Sequence, residues 1–576
     1  MSGQRGTRAV RIGNCSGFFG DRINAAREMV DGGDIDVLTG DWLAELTMLI
    51  LYKQRARNVE AGYASTFLTQ MEDVLGTCIE RGIKVVTNAG GLNPQGCAAK
   101  VRQIASRLSL DVNVAHVEGD DLMGHLDGLR DQLTHLDTGA PLTGRPVSAN
   151  AYLGGWGIVA ALDAGADVVV CPRVTDAAVV LGPAAWWWQW DQDDWDALAG
   201  AVVAGHVIEC GAQATGGNYA RFARIPDRTT LPGFPVAEID RDGSTVITKH
   251  PGTGGLVEVG TVTAQLLYEI GPQHYLNPDV TSWFETIRLD QVGADRVRIS
   301  GTRGSPPPPT LKVCINADGG FRNRVTYILS GSNQQDKAAW ITDALFGQLG
   351  GRERFDQVDV RFSPAPEDAP TQEASSGRLH VHVRSADERL VGRAFSNAAI
   401  ELTLSNYPGL FVSAPPAPAQ AVGVYWPALV ERSATNHTVV LADDTHLAIP
   451  EPPTADDEPA VIPAPGAEPD GPRAGERLGE FFAARSGDKG GNANVGIWAD
   501  DAPGYAWLHA NLDAGAIHTL LPETAGCEIR RYELPNLHAL NFVVVGLLGE
   551  GVASSTAFDP QAKGLGEYLL SRRWPG

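Results

Sequence analysis

The chain has 576 residues, 43% hydrophobic and 20% charged, with a formal net charge of −23. One core cannot serve that length, so about two to four domains are expected. The negative field repels phosphate backbones and anionic bilayers, which excludes a general nucleic-acid or anionic-membrane binder, and no apolar run reaches the roughly 18 residues of a transmembrane helix.

Residues 1–11 have no apolar signal-peptide core, and the seven cysteines are scattered without a CxxC pair, so a reducing cytoplasm is the expected location. Residues 8–13 read as a strand, followed by the loop Asn14–Asp21 and a helix from about Arg22 to Val30. The loop glycines suit either an anion-binding turn or a tight strand-to-helix connection. The second unit, Ile35–Glu45, repeats the design. Asp41 stands where a helix cap belongs, and Glu45 follows on the same helix face. The pair is read as a cap with a surface carboxylate, or as carboxylates for acid–base work or a divalent metal.

A helix around Phe67–Arg81 leads into Lys84–Cys97, a β-branched run ending in Asn88, Gly90, Gly91 and Asn93. Asparagine amides bind carbonyls and carboxylates, and glycines let backbone N–H groups approach a ligand. The fourth strand, Val112–Glu118, contains His116, read as a core histidine, and ends in Asp120 and Asp121. Ser148–Gly155 opens a small-residue helix from Ile158 to Ala164. The next strand ends in Arg173 and Asp176, either an anion-binding arginine or a mutual salt bridge.

Trp186, Trp187, Trp188, Trp190 and Trp195 suit an acyl pocket or a domain or subunit interface. Val207–Asn218 reads as a further strand and glycine loop. It offers Glu209 as acid or base, and Cys210 as a nucleophile with no histidine tied to it by sequence. Lys249 stands beside Gly252, Gly254 and Gly255 as an anion-binding candidate. Thr263–Ile270 reads as helix carrying Tyr268 and Glu269.

From about residue 286 alternating strands appear, with His380 and His382 at the spacing of a strand metal pair or of two solvent-facing side chains. Residues 450–475 are rich in Pro, Ala, Asp and Glu and are expected to form an extended, mobile spacer. Residues 476–576 read as a two-layer α+β sandwich. Its segment Ser486–Asn494 gathers Ser486, Asp488, Lys489, Asn492 and three glycines into an anion-binding or inter-domain loop.

Taken together, Gly13–Asp21, Gly40–Glu45, Thr87–Pro94, Glu209-Cys210 with Thr215-Gly216-Gly217, Gln265–Glu269 and Pro278-Asp279 resemble the AtuA family of acyclic terpene utilisation proteins. Ala484–Asn494 with Pro535-Asn536-Leu537 resemble the ferredoxin-like module that accompanies it. The resemblance implies catabolism of acyclic terpenes or branched-chain acids beside acyl-CoA-processing enzymes, and it carries over no catalytic set.

The expected architecture is an α/β main domain with a mostly parallel, open sheet (8–285), an α+β continuation (286–449), the linker (450–475) and a ferredoxin-like module (476–576). The expected activity is lyase or hydratase chemistry on an acyl substrate, with CoA as part of that substrate. Asp41, Glu45, Asn88, Asn93 and Glu209 are the catalytic candidates. Gly90, Gly91, Arg173, Lys249, Ser486, Asp488, Lys489 and Asn492 are the substrate-binding candidates. The alternatives are a metal- or phosphate-dependent hydrolase, with Asp21, Asp120 and Asp121 as weaker metal ligands, or a non-catalytic subunit of an acyl-CoA-processing complex. A homo-oligomer is expected.

Overall fold

The computed structural model describes residues 5–458 and 460–576, so residues 1–4 of the N-terminal reading and Pro459 of the linker lie outside the described residues. The described residues divide into two compact units, one within residues 5–316, 425–552 and 559–576, the other of residues 317–424 and 553–558.

The first unit is built on an 11-stranded open sheet. Its centre is parallel, in the order Val10–Asn14, Val37–Gly40, Lys84–Thr87, Val168–Val170, Val114–Glu118. These runs are almost wholly buried, which suits the interior of a parallel sheet. The flanks depart from the mostly parallel expectation. Pro235–Ile239, Thr245–Lys249, Arg296–Ser300 and Arg288–Gly293 extend one edge antiparallel, and Thr438–Val440 and His446–Ala448 the other. Past residue 285, Arg288–Gly293 and Arg296–Ser300 thus still join the main sheet.

Two local readings change. Residues 146–151 form a strand rather than the lead-in to a helix, and the helix begins at Trp156. Val207 and Ile208, read as the start of a strand, instead end the helix Trp195–Ile208. From Leu198 onward every residue of it is buried, so no polar stripe marks its period in the sequence. Its small residues allow close packing: a Cβ on Gly205 would fall 2.8 Å from the Ala177 Cα. The tryptophans belong to this core. The indole N–H groups of Trp187, Trp188 and Trp190 donate to the carbonyls of Arg8, Ile239 and Arg241, fixing the end of the Ala178–Trp188 helix against the strand Pro235–Ile239 and its flanks.

The C-terminal module carries a four-stranded antiparallel sheet in the order Ala483–Lys489, Asn492–Trp498, Ala539–Val544, Ile529–Leu534. Ser486–Asn494 is the tip of a hairpin, turned at Gly490 (φ 63°) and Gly491. The Pro-rich segment before it is not a free spacer: Ala455 N–H donates to the Pro307 carbonyl and Asp457 reaches His274 Nδ1 at 2.7 Å. The second unit packs the helix Gln334–Gln348 on an antiparallel sheet. Among the described residues, no helix is long and apolar enough to cross a membrane.

Candidate functional site

The carboxyl ends of the parallel strands carry a buried polar cluster. Asp41 follows the strand Val37–Gly40 and is buried. It does not cap the next helix, whose N-cap is Ala44; its Oδ1 accepts the Leu43 N–H at 3.0 Å. Asn88, fully buried at the end of the adjacent strand, donates through Nδ2 to Asp41 Oδ1 and accepts the Trp42 N–H at 2.9 Å. Asn88 thus fixes the direction of the Asp41 carboxyl.

Arg173 follows the next parallel strand and is 2% exposed. Its Nη2 donates to Asp176 at 2.9 Å, and its guanidinium lies 4.2 Å over the Tyr152 ring. Its Nε and Nη1 are buried without a hydrogen-bond partner. A buried guanidinium with two open N–H groups is a ready donor for a carboxylate or a developing oxyanion. Tyr152 also donates to Glu45 Oε1 at 3.1 Å, and Lys312 stands 3.8 Å from the same oxygen.

The other side of the cluster comes from later segments. Glu209 sits at the C-terminus of the Trp195–Ile208 helix, with Oε2 buried and unpartnered. His206 Nδ1 stands 3.4 Å from Glu209 Oε1, without the geometry of a hydrogen bond. Glu269 has a left-handed backbone, φ 56°, unusual for this residue type. The C-terminal module holds it there. Asn494 Oδ1 accepts the Glu269 N–H at 2.8 Å, and Lys489 Nζ donates to the Glu269 carbonyl at 2.6 Å. Arg485 donates to Gln213 and lies 4.2 Å over Tyr268; Lys563 donates to the Tyr268 hydroxyl and stands 3.9 Å from Asp488. Gly487 makes room for this approach, because a Cβ there would run into the Tyr268 ring.

The charges perturb one another. Burial, then the neighbouring Asp176, pushes the Asp41 carboxyl well above the usual carboxylate range, against Arg173 and Asn88. Burial, then Asp176 and Glu269, does the same to Glu209. Burial also raises Asp176 and Glu269, and with Glu269 nearby it lifts Asp488 to about 7. Glu45 goes the other way: burial would raise it, but Lys312 and Arg173 prevail and hold it at about 2. Burial, then Lys312, lowers Lys489; burial, then Lys489, lowers His206 to about 4. Burial and Glu269 hold the Cys210 thiol well above its ordinary value, which disfavours the thiolate.

The structure thus brings Asp41, Glu45, Asn88, Arg173, Glu209, Asp488 and Lys489 to one cluster. The other sequence candidates serve the fold. Asn93 caps the helix Pro94–Arg107, accepting the Gly96 N–H at 2.9 Å. Gly90 N–H donates to the Cys171 carbonyl and Gly91 N–H to the Asn88 carbonyl, so neither is open to a ligand. Lys249 is held by the Thr253 carbonyl at 2.9 Å and by Asp295. Ser486 Oγ bonds the Ala562 carbonyl and the Gly566 N–H, and Asn492 accepts the Gly546 N–H.

Asp21 accepts the Gly17 and Arg22 N–H groups, and Asp121 that of Met123. Asp120 accepts from Asn150 at 2.7 Å and from the Arg173 N–H at 3.2 Å. Among the described residues, no three His, Cys, Asp or Glu side chains are arranged to hold a metal ion. Sequence reasoning did not assign Tyr152, Asp176, His206, Glu269, Lys312 or Lys563 to the site. Asp176 and Glu269 carried a signal, being acids at the end of a recognised element; Lys312 and Lys563 carried none.

Residues 10–441 match the family model described as acyclic terpene utilisation family protein AtuA. The chain belongs to this family. Residues 477–575 match the AtuA ferredoxin-like domain, so the chain joins the AtuA region and its ferredoxin-like domain in one polypeptide. Every residue of the cluster falls within these two matches. A comparison with curated proteins gives no match. Membership of the AtuA family implies involvement in acyclic terpene utilisation.

Proposed function

We propose that the cluster is the active site of an enzyme that moves a proton at the carbon next to a carbonyl in a branched acyl substrate, a CoA thioester or its free acid, in a lyase or hydratase step. One observation carries this reading: buried carboxyls raised above their usual range stand around an arginine with two open N–H groups. Such a step needs a base for the Cα proton, an acid for the leaving oxygen, and a donor for the enolate oxygen. Neighbouring carboxyls cannot all ionise together, so Asp41, Asp176 and Glu209 titrate in steps, and a partly protonated set offers both a proton donor and a proton acceptor.

In this reading Arg173 takes the carbonyl oxygen on Nε and Nη1. Asp41 and Glu209 exchange the protons, and Asn88 aims Asp41. Glu45, ionised down to about 2, is a weak base; it anchors Tyr152 and Lys312 beside Arg173. Lys489 and Asp488 close the site from the ferredoxin-like domain. The proposal routes no step through a divalent metal, because Asp21, Asp120 and Asp121 each bind backbone or amide groups of the fold.

The test is to incubate the purified chain with branched enoyl and 3-hydroxyacyl CoA thioesters and with the free acids, following products by mass spectrometry. Turnover of one class, lost in Glu209→Gln, is expected. No turnover of any of them would sink the proposal.

A further inference from the structure

The second unit carries a cationic face that the candidate site does not use. Gln357–Ser363, Gly377–Ser385 and residues 317–329 pair antiparallel. Alternation sends Val325, Tyr327, Leu379, Val381 and Val383 into the core. It leaves Arg324, Arg361, Arg378, His380 and His382 on the opposite face. The register sets them in rows: Asp359–His382–Arg324, then Arg361–His380–Thr326, then Ser363–Arg378–Ile328. At strand spacings these rows cover roughly 13 Å along the strands and 10 Å across.

Like charges placed so closely on a sheet repel one another. Asp359 is the one acid in the three rows; it pairs with Arg361 Nη2 at 3.0 Å, and Arg361 Nε stays buried without a partner. Arg324 and Arg378 are exposed and join no ion pair among the described residues. Burial, then Arg361, holds His382 down to about 4. At the Arg378 end the face meets a hollow of about 400 Å³ lined by Ser363, Thr371, Glu373, Ser376 and Arg378.

The geometry points to an anion-binding face for a small molecule of nucleotide size that carries two or more phosphate groups. Arg324, Arg361 and Arg378 hold the phosphates, and the hollow, where the Ser363, Thr371 and Ser376 hydroxyls stand with the Glu373 carboxylate, takes the uncharged polar part. Arginine rather than lysine suits this task, because its planar fork binds phosphate oxygens in pairs. The net charge of −23 disfavours a long polyanion and leaves a compact one as the matching ligand.

The test is calorimetric titration of ADP into the full chain and into Arg324→Gln, Arg378→Gln and, as a control elsewhere on the surface, Arg57→Gln. Thermal melts check that each variant is folded. Binding is expected in the parent and in Arg57→Gln, with each of the other two weakened about fivefold or more. No binding by the parent at millimolar ADP, a smaller loss in either variant, or loss on Arg173→Gln instead would overturn the assignment.

Discussion

Two strand-end loops of the central sheet look alike in sequence and do opposite things. The loop after Lys84–Thr87 carries Asn88, Gly90, Gly91 and Asn93, and every one of these polar groups is taken up inside the fold, on Asp41, Cys171, Asn88 or a helix N-terminus. The loop after Val168–Val170 carries Arg173, which leaves two N–H groups buried and open. A polar strand end therefore does not identify a site by its composition. Whether its donors and acceptors already have partners separates a scaffold from a binding surface.

The largest expected effect is on the open loop. Arg173→Gln should lower turnover by about 10²–10³-fold, the scale of a lost oxyanion donor, while Asn93→Ala leaves kcat unchanged; equal losses in both would erase the contrast. Glu209→Gln and Asp41→Asn should each lower turnover by about 10²-fold or more with the fold intact by circular dichroism.

Gly487→Val should displace Tyr268 and loosen the hold of the ferredoxin-like domain on Glu269. A smaller drop in kcat is expected, with the melting curve showing whether that domain still folds. A normal kcat would remove the domain from the site.

The next effect is on stability. Burial raises Asp120 to about 7 from 3.8. Between those values the folded chain holds a proton that the unfolded chain releases. Its contribution to stability is therefore lost as pH rises through that window. Asp120→Asn should flatten this slope in denaturant titrations from pH 4 to 7. The smallest effect is that of Asn93→Ala on the melt, about 1 kcal/mol for a lost helix cap.

Much of the first unit was legible because buried parallel strands are short β-branched runs that end abruptly, which is how Asp41, Asn88, Arg173 and their loops were found. Glu209 was singled out for a wrong structural reason: an apolar helix buried on nearly all sides has no period to distinguish it from a strand. The antiparallel flanks were not legible, since pairing direction leaves no mark in a run such as Thr245–Lys249. Lys312 and Lys563 lie far along the chain from the residues they meet, and a single lysine on a strand or in a loop says nothing of its neighbours. Ser486–Asn494 reads in sequence as an anion-binding or inter-domain loop, and in the fold only part of it turns to the cluster. Its Lys489 and Asp488 face the cluster, while Ser486 and Asn492 hold the hairpin to its own domain.

The central claim is that Asp41 and Glu209 exchange protons with a carbon acid held by Arg173. Its most direct test is deuterium incorporation at Cα when the chain is incubated in D2O with branched acyl thioesters and their free acids, read by NMR. Incorporation into one substrate class is expected with the parent chain, and its loss in Glu209→Gln and Arg173→Gln. Turnover without incorporation, or incorporation at the parent rate in both variants, would contradict it.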